Sequence, residues 1–181
     1  HHHRRRVRVR ALPHRTREET GTQRGRARAS RMTFTLTVPS TYGFVVLTGG
    51  VGPFVTNLVL SGAVMAARSK YKVFYPNLYA VPGVHEKADE FNRVQRSHQN
   101  MMELNDSIIV MTLLGGLKHP IACSIGSVLY CIGLVLYQRG YVDNSLDVKT
   151  ARYQKGGILK WVGVGTVVVS TCSLAFSMLS A

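Results

Sequence analysis

Acidic residues are scarce in this sequence of 181 residues, which has 9 aspartates and glutamates against 23 lysines and arginines, for a net charge of +14. The excess is concentrated at one end. Residues 1–31 hold 11 arginines, no lysine and two glutamates, a net charge of +9 that leaves +5 for residues 32–181. A segment so rich in arginine and so poor in apolar residues cannot bury a core. We therefore expect residues 1–31 to be disordered and residues 32–181 to form the folded domain.

Three interpretations of residues 1–31 are open. Clustered arginines occur in nucleic-acid-binding arms, but this segment has no interleaved aromatic residues and no recognisable binding module. A segment rich in arginine and poor in acid is also typical of an organelle transit peptide. The third interpretation is a leader outside the native protein, because the sequence begins without methionine and Met32 opens a stretch typical of a natural start. We favour the third interpretation and expect no nucleic-acid partner.

Sequence signatures of metal sites and of common catalytic centres are also missing. The three cysteines, Cys123, Cys131 and Cys172, lie in apolar stretches, form no CxxC pair and have no histidine at ligand spacing. We therefore expect buried free thiols, without a metal or a disulfide. No glycine-rich phosphate loop, HExxH motif or GxSxG motif occurs either, so the sequence offers no basis for those nucleotide, metalloprotease or hydrolase sites.

Charge is absent from three long stretches, residues 33–67, 119–138 and 161–181. Each is long enough to cross a bilayer, which takes about 20 residues of helix. Pro53 and the glycines around it are tolerated in a membrane helix, because neighbouring helices satisfy the freed backbone groups. Further glycines at 156, 157, 163 and 165 predict close helix packing. The sequence therefore predicts an all-α integral membrane protein with at least three spans.

A fourth span is predicted from an apolar run that is too short by itself. Residues 107–117 carry no charge but would rise only about 16 Å as a helix, so a spanning helix must extend back to residue 91. That extension places Arg96, Asn100, Glu103 and Ser107 on one stripe. Polar groups at such depth face a bundle interior or a water-filled cavity, and they indicate a functional site. We therefore predict a four-helix transmembrane bundle with a polar site on its second helix.

Basic residues in the loops orient the predicted bundle. The loop between helices one and two and the loop between helices three and four are rich in lysine and arginine, whereas the loop between helices two and three has only Lys118. Under the positive-inside rule the two basic loops are cytosolic. The polar half of helix two would then open to the cytosol.

Five segments follow one another along the chain: STYGFVVLTGG, ARSKYKVFYPNLYA, FNRVQRSHQNMME, LYQRGY and the basic stretch that comes next. Their order and spacing resemble the type 3 microsomal glutathione S-transferases of the MAPEG superfamily (membrane-associated proteins in eicosanoid and glutathione metabolism). The resemblance implies a homotrimer that binds glutathione as co-substrate between subunits, near the cytosolic membrane surface. It also implies glutathione transfer to lipophilic electrophiles or reduction of lipid hydroperoxides, and leukotriene C4 synthesis belongs to the same superfamily. The expected membrane is the endoplasmic reticulum, with the mitochondrial outer membrane as the alternative.

Matching the family position by position assigns glutathione contacts to seven residues: Arg68, Arg96, His98, Asn100, Glu103, Tyr137 and Tyr141. The residue types fit the ligand, since guanidinium groups grip its carboxylates, a carboxylate suits its ammonium group and an asparagine suits an amide. His98 lies about 200° around the helix from Arg96 and would reach either a neighbouring subunit's site or a local carbonyl. The two tyrosines share one helix face, which also fits an interfacial aromatic belt.

The family's catalytic cation is an arginine after helix three, and the segment ARYQKGG assigns that role to Arg152, with Lys149 as the alternative. A cation beside the sulfur favours the thiolate, which is the nucleophile. Both residues also fit the positive-inside pattern. The chain departs from the family at Asp106, where relatives have proline, and in a longer loop without proline before Arg152. These departures keep open the alternative of a catalytically silent structural subunit of a larger membrane assembly.

Overall fold

The computed structural model describes residues 37–180, and the arginine-rich residues 1–31 lie outside the described part of the chain. No β-strand occurs within residues 37–180. Four long helices, labelled in chain order, make up the structure: α1 (Tyr42–Tyr71), α2 (Ala88–Gly115), α3 (Pro120–Tyr141) and α4 (Leu159–Leu179). A one-turn helix, Ala151–Gln154, precedes α4. The prediction of an all-α protein is confirmed.

Three of these helices are long and apolar enough to cross a membrane, namely α1, α3 and α4, with mean hydropathy between 1.7 and 1.9. Their apolar side chains are largely exposed on the outer surface of the single chain, as Phe54, Ile125 and Val169 illustrate. Their length and composition indicate an integral membrane protein. Helix α2 is continuous over 28 residues, as expected, but its polar first half keeps it below that hydropathy. Its crossing of the membrane stays a prediction.

Helices α2 and α3 lie in the middle of the packing, because each contacts all three other long helices, whereas α1 and α4 do not touch. Their shared core includes Leu60, Met101, Ile108, Tyr130 and Leu134, all almost fully buried. These apolar residues come from α1, α2 and α3, so the second and third helices bury one face against each neighbour. The start of α4 lies against the first half of α2, where Lys160 meets Asn100, and against the second half of α3 at Gly133.

Glycines determine how closely α3 and α4 approach. A Cβ atom at Gly163 would collide with backbone atoms of Gly126 and Tyr130, and one at Gly133 would collide with the backbone of Lys160. Small residues allow helix backbones to approach closely in membrane proteins. Close packing was predicted for Gly163 and is observed there. Gly165, predicted for the same purpose, has no atom within 4 Å of a Cβ position among the described residues.

Helix α1 widens into one π-helical turn, Leu47–Val51, just before Pro53. Proline has no N–H to donate and its ring clashes with the carbonyl four residues earlier. The wider turn removes this conflict, since the N–H of Gly52 bonds to the carbonyl of Leu47, five residues back. Gly49 lies on this turn against the side chain of Thr112 and leaves no room for a Cβ.

The cysteines differ in burial. Cys123 is buried, Cys131 is half-buried and Cys172 is exposed on the outer surface of α4, and all three are free. The prediction that all three thiols are buried is therefore wrong for Cys172. The sequence could not distinguish the faces of α4 for this residue, because the helix is apolar almost all around.

Candidate functional site

The polar stripe on α2 is present and is exposed in the single chain. Arg96 Nη1 donates to Glu103 Oε1 at 3.0 Å, and the two side chains are 51% and 50% exposed. Asp106 and Ser107 are exposed further along the same helix. The i, i+7 spacing brings Arg96 and Glu103 to the same face two turns apart, as predicted. Each member of the pair keeps hydrogen-bonding capacity for another partner.

A cleft of about 450 Å³ lies at the end of the helices where α2 begins and α3 ends. We call it the Arg96 cleft, and its lining consists of Tyr79, Asp89, Asn92, Arg93, Arg96, Tyr141 and Val148. Its volume falls in the range of small-molecule sites. Asn92 fixes one wall by bonding both the N–H and the carbonyl of Ala80. The cleft therefore joins two predicted ligand contacts, Arg96 and Tyr141, although they lie 45 residues apart in the sequence.

Arg152 lies next to the tyrosines at the end of α3. Its Cζ is 5.3 Å from the ring centroid of Tyr141 and 5.9 Å from that of Tyr153. The Tyr137 ring is 6.0 Å from the Tyr141 ring and 6.3 Å from the Tyr153 ring. Arg152 Nε is buried and has no hydrogen-bond partner among residues 37–180. A buried donor without an acceptor is costly, so this atom is suited to an acceptor that a ligand would bring.

Two glycines allow the turn that carries Arg152 to pack on α3. Gly140 lies against the carbonyl of Ala151, and Gly157 lies against the carbonyl of Arg152 and the backbone of Tyr137, with no room for a Cβ at either position. Lys149, the alternative cation, is exposed in the loop before this turn. Of the two cations, Arg152 is the one that contacts the tyrosine cluster.

Lys160 is a polar residue of the site that the sequence analysis missed. It lies at the start of α4, is 1% exposed, and its Nζ donates to Asn100 Oδ1. The same Nζ is 4.1 Å from the ring centroid of Tyr137 and 4.8 Å from that of Trp161. The signal in the sequence was a lysine bordering an uncharged stretch, which resembles an ordinary loop charge.

His98 and Arg68 lie apart from this group. His98 Nε2 pairs with Asn57 Oδ1 at 2.8 Å, so it links α2 to α1 in the same chain. Arg68 is 7% exposed, and its Nη1 donates to the carbonyls of Val73 at 3.2 Å and Asn77 at 2.8 Å. Its guanidinium also lies 4.5 Å from the Tyr75 ring centroid. Arg68 thereby stabilises the loop after α1. Contact of His98 or Arg68 with glutathione stays a prediction.

Asp143 organises the loop that separates α3 from Arg152. Its carboxylate accepts from Lys155 Nζ at 2.5 Å and from the backbone and side chain of Ser145, while Arg93 Nη1 donates to its carbonyl at 3.2 Å. The hydrogen bonds from Lys155 and then from Ser145 hold the pKa of this carboxyl well below its usual range. Through Asp143, this loop is therefore bonded to Arg93 on α2 and to Lys155, which follows the one-turn helix.

The structure brings together six of the nine predicted site residues and separates three. Arg96, Asn100, Glu103, Tyr137, Tyr141 and Arg152 line or adjoin one end of the packing of α2, α3 and α4. Five of these six residues are predicted ligand contacts, and the sixth, Arg152, is the catalytic candidate. The other three predicted residues, His98, Arg68 and Lys149, lie elsewhere. We call the group, together with Lys160, the polar end-site. It offers two guanidinium groups, an ammonium group, one carboxylate and two phenols, which is the complement of a ligand with carboxylates, an amine and a weakly acidic thiol.

Comparison with known families agrees with the helix pattern. The sequence model of the MAPEG family matches residues 46–172, a region that contains all four long helices except the first residues of α1 and the last residues of α4. Every predicted site residue lies within the matched region.

Proposed function

This chain belongs to the MAPEG family, whose members are commonly glutathione-related enzymes, and on that premise we propose that it is a membrane-bound glutathione transferase or peroxidase. Its reaction is attack by the glutathione thiolate on a lipophilic electrophile or a lipid hydroperoxide. Leukotriene C4 synthesis is a third reaction of the same class. The family match does not favour the alternative of a catalytically silent structural subunit.

The observation that supports the proposal most strongly is the half-exposed Arg96–Glu103 pair. It lies on a helix packed among three apolar helices, where an exposed ion pair cannot face lipid without a large cost. A water-filled, ligand-binding interface is the environment in which both side chains are satisfied. Arg96 is then suited to a glutathione carboxylate and Glu103 to its ammonium group.

We assign the remaining ligand groups to the polar end-site in the same way. Asn100 is suited to an amide of glutathione, and Tyr137 and Tyr141 to the peptide and the sulfur. Arg152 is the proposed thiolate partner, since its buried Nε has no acceptor among residues 37–180 and its guanidinium adjoins Tyr141. A cation beside the sulfur lowers the pKa of the thiol from about 8.5 and increases the fraction of the nucleophile.

We further propose that glutathione binds between adjacent subunits of a homotrimer. The stripe on α2 is exposed in the single chain, so a second copy would supply its missing wall. Arg68 and His98 are expected to contribute from that copy. The membrane surface that carries the site is expected to be cytosolic, in the endoplasmic reticulum or the mitochondrial outer membrane.

The test is the pH dependence of an Arg152→Ala variant in detergent, with a small chloronitroaromatic as the electrophile. At pH 7 we expect the conjugation rate to fall about tenfold or more, because a thiol near pKa 8.5 is only a few per cent ionised there. At pH 9, where bulk ionisation supplies thiolate, the rate should partly recover. Calorimetry should find the glutathione dissociation constant nearly unchanged.

Lys149→Ala, measured in parallel, should leave the rate and its pH dependence as in the wild type. The opposite pattern, with Arg152→Ala fully active and Lys149→Ala impaired, would transfer the role to Lys149. Absence of glutathione binding by the wild-type protein would overturn the proposed function itself.

A further inference from the structure

Lys160 carries an ammonium group that is buried at the start of α4, and it has no carboxylate partner among residues 37–180. It is the second residue of α4 and is 1% exposed, and no carboxylate within residues 37–180 forms an ion pair with it. A buried charge costs several kcal/mol unless other groups compensate for it. The compensation comes from one amide oxygen and two aromatic rings, those of Tyr137 and Trp161. A buried charge retained at this cost indicates a functional role for Lys160.

The position of Lys160 is fixed by the helix crossing. Gly133 on α3 lies directly against the backbone of Lys160, with no room for a Cβ between the two helices. The side chain then passes the Tyr137 ring, at 4.1 Å, and ends at Asn100 on α2. One side chain therefore connects three helices at the inner boundary of the polar end-site.

The hydrogen bond determines which way the Asn100 amide is turned. An ammonium group can only donate, so the amide oxygen must face Lys160 and the amide nitrogen must face away. Asn100 Oδ1 is the acceptor in the structure, and Nδ2 has no hydrogen-bond partner among residues 37–180. An asparagine held in this way offers two N–H donors to a ligand, while its oxygen already accepts from Lys160.

We infer that Lys160 is a positioning residue of the polar end-site, which fixes Asn100 as a hydrogen-bond donor and so selects a carbonyl or carboxylate oxygen of the ligand at that point. The inference rests on the proposed function and adds a residue to it. Without Lys160 the amide is free to rotate and present its oxygen, and the ligand loses part of its affinity and its preference for an acceptor.

A double-mutant cycle on glutathione binding tests this role. Lys160→Met keeps the length and removes the donor, and Asn100→Leu removes the amide. Each change alone should weaken glutathione binding about tenfold, the effect of one hydrogen bond. In the Asn100→Leu background, Lys160→Met should cause no further loss, because contacting residues that act through one interaction are not additive. A role of Lys160 in folding alone would not depend on Asn100.

Two more variants complete the design. Lys160→Gln retains a neutral donor that faces Asn100 and should recover part of the lost affinity. If Lys160→Met fails to fold, the loss that remains in Lys160→Gln should likewise disappear in the Asn100→Leu background. Lys118→Met removes a lysine whose Nζ bonds Ser173 at the other end of α2, and it should bind glutathione as the wild type does.

The outcomes separate the two proposals. Wild-type binding combined with unchanged affinity of Lys160→Met, or with losses that add independently of Asn100, overturns the positioning role and leaves the proposed function standing. If the wild-type protein binds no glutathione by calorimetry, both proposals fail.

Discussion

At the scale of single residues, the Arg96–Glu103 pair is half exposed and each partner has free hydrogen-bonding positions. An exposed ion pair contributes little to stability, about 0–1 kcal/mol. Its effect on a ligand that is held within an enclosed site is larger, since hydrogen bonds to charged groups are worth about 1.5–3 kcal/mol. Changes to this pair should therefore affect binding more than folding.

Glu103→Gln should weaken glutathione binding by about 1.5–3 kcal/mol, because the neutral amide no longer attracts the ligand's ammonium group. Calorimetry in detergent measures the dissociation constant, and the thermal midpoint should change little. Asp106→Asn is the matched control, since it removes another exposed carboxylate from the same helix. An unchanged dissociation constant in Glu103→Gln would show that this carboxylate does not contact the ligand.

Which site residues could be predicted from the sequence depended on whether they follow a helical period. Arg96, Asn100 and Glu103 repeat along α2, so their common face was predictable from spacing alone. The burial of Lys160 was not predictable. A single lysine next to an apolar stretch does not indicate whether its side chain points into the helix packing or toward solvent. The pairing of His98 with Asn57 depends on the rotation of α1 against α2, which no local pattern determines.

At the scale of helices, the crossing of α3 and α4 depends on backbone contact at Gly163. Gly163→Ala should lower the thermal midpoint, because the new methyl group meets backbone atoms of Gly126 and Tyr130 that cannot move without separating the helices. Gly165→Ala, two residues along the same helix, meets no atom within 4 Å among the described residues. It should leave the midpoint unchanged or slightly raised, since alanine is the better helix former. Equal midpoints for the two variants would contradict this account.

The loop that Asp143 organises should show its own pH dependence. A depressed pKa in the folded state means that the carboxylate stabilises the fold above its usual value near 3.8, and that this contribution is lost as the pH falls toward the lower, folded-state pKa. Asp143→Asn should therefore lower the thermal midpoint at pH 7, and the difference from the wild type should shrink below about pH 4. Circular dichroism melts across pH test this. A difference that grows in acid would refute the ion pair with Lys155.

Helix types and extents were largely predictable, whereas helix irregularities were not. The polar-to-apolar segment 91–117 was expected to form one helix, and α2 spans Ala88–Gly115. The prediction of one continuous helix is confirmed, whereas the crossing of the membrane from which it was argued stays a prediction. The π turn in α1 depends on the tertiary contact between Gly49 and Thr112 as well as on Pro53, and only the proline is visible in the sequence.

At the scale of the whole molecule, the exposed stripe on α2 requires a covering surface, which another copy of the chain can supply. We expect native mass spectrometry in mild detergent to find a trimer. Blocking the stripe should weaken assembly and binding together, so Ser107→Trp, which adds bulk at an exposed position on α2, should lower both. Monomer alone across several detergents would count against a site shared between subunits.

The unequal hydropathy of the helices has a consequence for how the chain enters a bilayer. α1, α3 and α4 each carry enough apolar surface to leave the translocon by themselves, but α2 does not. We expect α2 to remain at the aqueous boundary during synthesis until α3 and α4 have been made and can shield its polar groups. A glycosylation tag placed in the loop after α2, beside Lys118, should then be modified in the full-length chain, where α2 has crossed the membrane, and should stay unmodified in chains truncated before α4.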